Sequence, residues 1–141
     1  MKLSTQGRYV TGVSLDLALR CGEGPIPLRD IAQRQRIPLP YLEHLISPLK
    51  AAGIIKSSRG ARGGIWLVKP PQEVRLNEMT SLLEGSVAPV ECVNNAKTCS
   101  HSDLCIARAI WGEMKKAMNG VLESTSLQDL VGLAKQTRNV N

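Results

Sequence analysis

The sequence predicts a mainly α-helical fold: a winged helix-turn-helix followed by a long C-terminal dimerisation helix. Two short helical segments separated by the tight break "RIPLP" predict the helix-turn-helix, and strand-type residues around a glycine-rich basic tip predict the wing. A long apolar seam that starts at Leu104 predicts the dimerisation helix. The prolines of "VKPPQEV" mark a boundary, so we divide the chain into residues 1–75 and residues 76–141.

Apolar periodicity predicts three helices in the first half of the chain. The first covers residues 4–20 and ends at "CGEGP"; the second, "PLRDIAQRQ", has Pro27 in its first turn. The third covers residues 40–52 and is closed by Gly53. Its core-facing residues are Leu42, Leu45, Leu49 and Ala52, and its outward face carries Pro40, Glu43, His44, Ser47 and Lys50. A helix in this position can enter a DNA major groove.

The segment "IIKSSRGARGGIWLV" predicts a two-stranded wing. Glycines at positions 60, 63 and 64 let the backbone turn tightly and lie close to a phosphate chain. Arg59 and Arg62 add positive charge and planar donor groups. The wing is therefore a second candidate contact with DNA.

Positive charge is concentrated in the first half of the chain. Residues 1–75 carry twelve Lys or Arg against five Asp or Glu, whereas the remainder carries six against seven. A polyanion is thus expected to meet the first half, although a solubilising surface is the alternative. The sequence has no apolar run long enough for a signal peptide or a membrane span, so we expect a cytosolic protein without a membrane partner.

The second half predicts helices that serve packing and dimerisation. "LNEMTSLLEG" forms a short helix, and a coiled-coil-like seam follows at Leu104, Ala107, Trp111, Met114, Met118 and Val121. Ile106, Ile110 and Ala117 widen this apolar surface, which favours packing on the same domain and on a second copy, as a homodimer. A terminal helix follows, with Ser126 as its N-cap and Asp129 three residues later.

Three of the four cysteines lie in "ECVNNAKTCSHSDLC", residues 91–105. Their spacing, C-x6-C-x5-C, fits zinc poorly because zinc sites usually pair cysteines two to four residues apart. Thiolates also ligate iron–sulfur clusters, so an iron–sulfur site is favoured, while redox-active thiols, zinc and no function stay open. The candidate fourth ligands are His101, Asp103, Glu91, a residue of a partner subunit, or solvent. Cys21 is expected to be a buried small residue.

The stretches "MKLSTQGRYVTG", "YLEHLISPLKAAGIIKSSRGARGGIWL" and "CIARAIWGEM" resemble the IscR, NsrR and CymR family of bacterial winged-helix regulators, closest to the IscR branch. The likeness covers essentially the whole chain. It implies a homodimeric transcription factor that binds double-stranded DNA and senses iron–sulfur cluster status, oxidation or nitric oxide. Control of cluster-assembly genes is the expected role.

The resemblance also implies a set of site residues. Cys92, Cys99 and Cys105 match the cluster-ligating cysteines, with His101 as a further candidate ligand. Glu43 and Arg59 match positions that read bases, and Arg62 and the wing glycines lie along the backbone contact. The full expected DNA-binding set is Arg8, Tyr41, Glu43, His44, Ser47, Arg59, Gly60, Arg62, Gly63 and Gly64.

Two positions and one spacing depart from the family pattern. The IscR histidine ligand falls three residues after the last cysteine, where this chain has Arg108. The first two cysteines stand one residue further apart than in IscR, and Arg8 occupies the place of the acidic ligand that NsrR-type proteins take from the partner. The fourth ligand therefore stays open. A 2Fe-2S cluster is favoured and a 4Fe-4S cluster is the alternative.

The sequence fits a regulator better than it fits other classes of function. A small iron–sulfur electron carrier has no need of a basic wing, and a thiol redox enzyme is disfavoured because the chain has no C-x-x-C pair. "GARGG" lies on a hairpin instead of before a helix, which argues against a nucleotide site, and no catalytic triad is evident. We expect no enzyme, but a regulator in which the cluster fixes the cysteine loop against the DNA-binding domain. A thiol-redox or nitric-oxide response is the alternative.

Overall fold

The computed structural model describes residues 4–84 and 88–140. Within these residues the fold has six α-helices and one two-stranded antiparallel sheet, which confirms the mainly α winged-helix expectation. The elements in chain order are α1 (Thr5–Leu19), α2 (Leu28–Gln35), α3 (Leu39–Ala51), β1 (Ile55–Ser58), β2 (Gly64–Leu67), α4 (Leu76–Glu84), α5 (Ala107–Ser124) and α6 (Leu127–Val140).

Helix α1 follows the predicted pattern. The hydroxyl of Ser4 caps its N-terminus by accepting a hydrogen bond from the Gly7 N–H at 3.1 Å. Val10, Val13 and Leu17 lie along one face and are almost completely buried. The sequence predicted Cys21, just beyond this helix, to be buried, and that expectation is wrong because Cys21 is exposed. It lies in the turn after the helix, where the chain no longer faces the core.

Helices α2 and α3 form the helix-turn-helix. Arg36 ends α2 in the left-handed conformation, at φ 55°, and α3 begins at Leu39, one residue before the predicted start. The helix continues through Pro48, and Gly53 follows it with φ 76°, a conformation that favours glycine. Leu42, Leu45 and Leu49 are at most 1% exposed, which confirms them as core-facing residues. Ala52 was expected on the same face, but it is exposed because the helix ends at Ala51.

The wing is a hairpin in which Ile55 pairs with Leu67 and Ser58 with Gly64. A separate antiparallel bridge joins Ile26 to Ile65, with N···O distances of 2.9 Å in both directions. This bridge ties the wing to the segment that precedes α2. The helix-turn-helix and the wing therefore hold fixed positions relative to each other.

Both halves of the chain contribute to one core. Met79 of α4 and Leu127 and Val131 of α6 belong to the same buried cluster as Val10 and Leu17 of α1. Backbone hydrogen bonds also join the start of α6 to the segment before α4. The Leu76 N–H donates to the carbonyl of Thr125 and the Leu127 N–H donates to the carbonyl of Val74, each at 2.9 Å. The division of the chain into a DNA-binding part, residues 1–75, and a cluster-binding and dimerisation part, residues 76–141, stays a prediction.

The start of α6 is a capping box, as predicted. The Asp129 N–H donates to the Ser126 hydroxyl at 3.2 Å, and the Ser126 N–H donates to the Asp129 carboxylate at 2.9 Å. These hydrogen bonds lower the pKa of Asp129, first through the Ser126 backbone and then through its side chain. The reciprocal pair satisfies two backbone donors of the helix end.

Helix α5 packs on α4, yet none of its 18 residues is buried. The sequence placed Leu104 on this helix, but the helix begins at Ala107 and Leu104 lies in a preceding 3-10 turn. Trp111 and Met118 are half-buried. The large exposed apolar residues beside or on the helix are Ile106 (90%), Ile110 (59%), Met114 (42%) and Val121 (63%). None of the described helices is both long and apolar enough to cross a membrane.

Candidate nucleic-acid interface and cysteine loop

The outer face of α3 and the wing enclose a groove of about 850 Å³. Five of the expected DNA-binding residues line it: Glu43 from α3, and Arg59, Gly60, Gly63 and Gly64 from the wing. The groove exists because the Ile26–Ile65 bridge holds the hairpin beside the helix-turn-helix. Base-reading and backbone-contacting candidates thus share one surface.

The groove also contains charged residues that were not among the expected site residues. Arg29 and Asp30 line it from the first turn of α2, and Lys50 lines it from α3. The first helix of a helix-turn-helix crosses the DNA backbone, so a cation at its N-terminus was the signal that could have identified Arg29. Within the described part of the chain, none of Arg29, Lys50 and Arg59 forms an ion pair. Three cations therefore face the groove without a carboxylate that neutralises them directly.

Two wing glycines are required by packing inside the protein. A Cβ atom at Gly64 would overlap the carbonyl oxygen of Ile26, and one at Gly63 would overlap that of Ser58. Gly60, in contrast, has open space around it and a φ of 105°, so its role is to turn the backbone at the wing tip. Close packing therefore accounts for Gly63 and Gly64 without any contact to DNA.

The other expected DNA-binding residues lie outside the lining of the groove. Arg62 is exposed at the wing tip. His44 and Ser47 line a separate hollow of about 440 Å³ against Leu82 and Leu83 of α4. Tyr41 is half-buried and packs edge-on against Tyr9 of α1, with ring centroids 5.9 Å apart. Arg8 is exposed on α1.

A buried carboxylate fixes α2 against α1. Asp16 is 3% exposed and accepts hydrogen bonds from Arg34 at 2.8 and 2.9 Å, from Arg20 at 3.1 Å and from Gln35 at 3.1 Å. Burial acts to raise the pKa of Asp16, but the hydrogen bonds from Arg34 and Gln35 and the nearby positive charges outweigh it and lower the pKa. This contact sets the angle of the helix that carries Arg29 into the groove.

The cysteine loop is built from three short 3-10 turns, Glu91–Val93, Ala96–Thr98 and Ser102–Leu104. The buried hydroxyl of Ser102 donates to the carbonyl of Ala96 at 2.6 Å, which closes the middle of the loop. Cys92 is half-buried, and Cys99 and Cys105 are exposed free thiols. His101 is exposed at the start of the third turn.

The cysteine loop carries three candidate iron–sulfur ligands. Three thiolates have the donor chemistry of cluster ligands, which need to converge on one centre. Among residues 4–84 and 88–140, however, no three Cys, His, Asp or Glu side chains come together as a possible metal site. Arg108, at the position of the IscR histidine ligand, instead donates a hydrogen bond from its Nε to the carbonyl of Cys92 at 3.1 Å. The donor types fit a cluster, but their arrangement in this structure does not.

Comparison with known proteins identifies the chain's relatives. The model of the Rrf2 family, described as an iron-dependent transcriptional regulator, matches residues 3–132. Protein rrf2 of Nitratidesulfovibrio vulgaris is 42% identical over 93% of this chain and 87% of its own length. The structure of CymR, the global cysteine regulator of B. subtilis, superposes with a TM-score of 0.80 at 38% identity and covers 94% of this chain and 98% of its own.

IscR of T. potens is equally similar in structure. It has a TM-score of 0.80 at 35% identity, and the match covers 97% of this chain and 90% of that protein. The likeness therefore includes both the IscR and the CymR branches, and the relatives are transcriptional regulators, not enzymes. On this fold, on the groove between α3 and the wing, and on a family match over nearly its whole length, the chain belongs to the Rrf2 family of transcriptional regulators.

Proposed function

We propose that this regulator binds double-stranded DNA as a homodimer and that its cysteine loop receives the signal. The observation that carries the proposal is the groove between α3 and the wing, where Arg29, Lys50 and Arg59 form no ion pair. Cations held in this way favour a polyanion, because neutralising phosphates releases counterions. A cytosolic location follows from a partner of this kind.

The groove residues divide into two roles. Glu43 lies on the outer face of α3 and reads base edges, since a carboxylate can accept a hydrogen bond from the amino group of cytosine. Arg59 reads bases beside it from the wing. Arg29 and Lys50 at the groove and Arg62 at the wing tip contact phosphates, and so set the affinity without reading sequence.

The second copy packs on α5. A helix of 18 residues with no buried residue and with Ile110, Met114 and Val121 exposed leaves an apolar surface that monomeric proteins rarely present to water. A two-fold symmetric pair would place two α3 helices on successive turns of one DNA face, about 34 Å apart. The expected DNA site is therefore a pair of inverted half-sites.

The first candidate signal is an iron–sulfur cluster held by Cys92, Cys99 and Cys105, with 2Fe-2S favoured over 4Fe-4S. The family's description as iron-dependent and the likeness to IscR support this candidate. Control of cluster-assembly genes is the corresponding role. The fourth ligand is open, and the loop must rearrange before the three thiolates share a centre.

The second candidate signal is reversible chemistry at the thiols themselves. It is favoured by two exposed, free cysteines in a loop that does not gather a metal site within the described residues. The likeness to CymR, a cysteine regulator, points the same way. In this case the loop would respond to a thiol-reactive agent instead of to iron.

One experiment tests the function and separates the signals. The protein is purified without oxygen, its iron, sulfide and visible absorption are measured, and DNA is titrated with the protein as isolated and after chelation of iron. A variant with Cys92, Cys99 and Cys105 replaced by serine is the control. Cluster sensing predicts a coloured protein whose DNA affinity changes on chelation, whereas thiol sensing predicts a colourless protein that responds to a disulfide reagent. Salt-independent or absent DNA binding would refute the proposed function.

A further inference from the structure

Helix α5 holds the cysteine loop through two basic side chains. The Nε of Arg108 donates to the main-chain carbonyl of Cys92 at 3.1 Å, and the Nζ of Lys115 donates to the side-chain oxygen of Asn94 at 2.8 Å. Arg108 is half-buried in the first turn of the helix. These two hydrogen bonds hold the segment around Cys92 against the first turns of α5, although they join residues 16 and 21 positions apart in sequence.

The loop and the exposed apolar surface occupy opposite sides of α5. Arg108, Gly112 and Lys115 are spaced by four and three residues, so they share one face. Ile110 is two residues beyond Arg108, about 200° around a helix, which places it on the far side. Met114 follows Ile110 by four residues and Val121 follows Met114 by seven, so both lie on that far side too.

We propose that Arg108 is a positioning residue that couples Cys92 to α5, so that a chemical change at Cys92 alters DNA binding through this helix. The inference rests on the proposed function, in which the far side of α5 carries the second copy. The hydrogen bond runs to the backbone of Cys92, so any group added to that half-buried thiol that displaces the backbone also releases Arg108. A shift of α5 then changes the separation of the two DNA-binding grooves.

The position of Arg108 explains why it carries this role better than other residues of α5. It is in the first turn, next to Cys105, and it lines a hollow of about 390 Å³ with Cys105, Ser102 and Gly112. Lys115, in contrast, donates its hydrogen bond to the side chain of Asn94, and among the described residues it has no hydrogen bond to the backbone of a cysteine. Arg108 therefore links Cys92 directly to α5, close to the point where Cys105 precedes this helix.

The test uses the full chain with Cys21, Cys99 and Cys105 replaced by serine, so that iodoacetamide alkylates only Cys92. DNA affinity is measured before and after alkylation in this background and with Arg108→Ala added. We expect alkylation to change the dissociation constant by about tenfold with Arg108 present, and by less than about twofold with Arg108→Ala. Arg108→Lys keeps the charge but loses the Nε donor, so it should behave as Arg108→Ala does.

Lys116→Ala is the matched control, because Lys116 lies on the same helix, carries the same charge and pairs only with Glu113 among the described residues. It should retain the full response to alkylation. An equal response with and without Arg108, or no response with Arg108 present, would overturn the inference.

Hydrogen exchange tests the coupling between Cys92 and α5 without relying on DNA binding. Alkylation should speed amide exchange in the first turns of α5 when Arg108 is present and leave it unchanged in Arg108→Ala. If the chain bound no DNA at all, the proposed function would fail, and the exchange result would still confirm or reject the link between Cys92 and α5.

Discussion

The guanidinium of Arg34 donates two hydrogen bonds to the carboxylate of Asp16, from Nε at 2.9 Å and from Nη2 at 2.8 Å, and so joins the end of α2 to α1. The carboxylate is almost completely buried, whereas Arg34 is about one-third exposed. Gly12, one turn earlier on α1, gives the neighbouring Gln35 room, since a Cβ there would lie 2.6 Å from the Gln35 Oε1. The angle between α1 and the helix-turn-helix therefore depends on a specific pair of residues.

Replacing Asp16 by asparagine should lower the free energy of unfolding by about 2 kcal/mol at pH 7, because hydrogen bonds to a charged group contribute about that much. The loss stays moderate since Arg20 and Arg34 can turn toward water once the carboxylate charge is gone. Urea unfolding followed by circular dichroism measures the change. Glu123→Gln, at an exposed position on α5, is the control and should leave the stability nearly unaltered.

The same carboxylate predicts an acid-dependent stability. The pKa of Asp16 in the folded protein lies below its ordinary value of 3.8, so the contribution of this group is complete above that value. It is lost as the pH falls through the lower, folded pKa, because protonation then removes the charged hydrogen bonds. Unfolding measured from pH 5 downward should show a smaller decrease in Asp16→Asn than in the wild type. An identical slope in both proteins would contradict the assignment.

Local sequence patterns predicted most of the helices correctly, because the relevant contacts are close in the chain. Leu42, Leu45 and Leu49 repeat at helical spacing, and Ser126 and Asp129 cap a helix from three residues apart. The start of α5 was placed too early, since Leu104 continues the apolar spacing although the chain forms a 3-10 turn there. Helix ends depend on backbone hydrogen bonds that apolar periodicity does not reveal.

The part of the candidate site that depends on local sequence patterns was predicted, and the part that depends on distant contacts was not. Glu43 and Arg59 were identified from the outer face of a helix and from a basic turn, and the groove joins them. The part played by Arg29 depends on the Asp16–Arg34 contact, which joins residues eighteen positions apart and has no local signature. The arrangement of the three thiols likewise depends on tertiary packing, and cysteine spacing alone did not determine it.

Ser14 predicts a stabilising substitution. Its hydroxyl is completely buried on α1 and has no hydrogen-bond partner in the described part of the chain. Because an unsatisfied buried polar group costs free energy, Ser14→Ala should raise the free energy of unfolding by about 1 kcal/mol. Ser126→Ala is the contrasting variant, since it removes a helix cap and should lower the stability by about 1 kcal/mol. A loss of stability in Ser14→Ala would show that the hydroxyl has a partner.

Glu43→Ala should relax the sequence preference of DNA binding. A carboxylate at the groove rejects most base edges and repels phosphates, so its removal should lower the ratio of specific to non-specific affinity by about tenfold, the equivalent of one base contact. Competition with a panel of altered sites, at one salt concentration, measures this ratio. An unchanged preference would remove Glu43 from the base-reading set.

Arg29→Ala and Arg62→Ala should weaken binding to all sequences alike. Each removes one proposed phosphate contact, so the slope of log affinity against log salt should become shallower by about one unit. Arg29 tests the contribution of α2 to the groove, and Arg62 tests the wing tip. Lys116→Ala, remote on α5, is the control and should leave the slope unaltered. A change in the ranking of sites in either variant would mean that the arginine reads bases.

Ile110→Glu should convert the proposed dimer into a monomer. Ile110 is 59% exposed in the single chain, so a glutamate there costs little within the subunit, whereas a charge placed without a partner in an apolar interface is strongly unfavourable. Sedimentation equilibrium should show the mass of one chain, and binding to a site with two half-sites should fall by at least about a hundredfold because simultaneous contact is lost. Lys116→Glu introduces the same charge at a 78% exposed side chain of the same helix and should leave the dimer intact. If both variants stayed dimeric, the second copy would have to bind on a surface other than this face of α5.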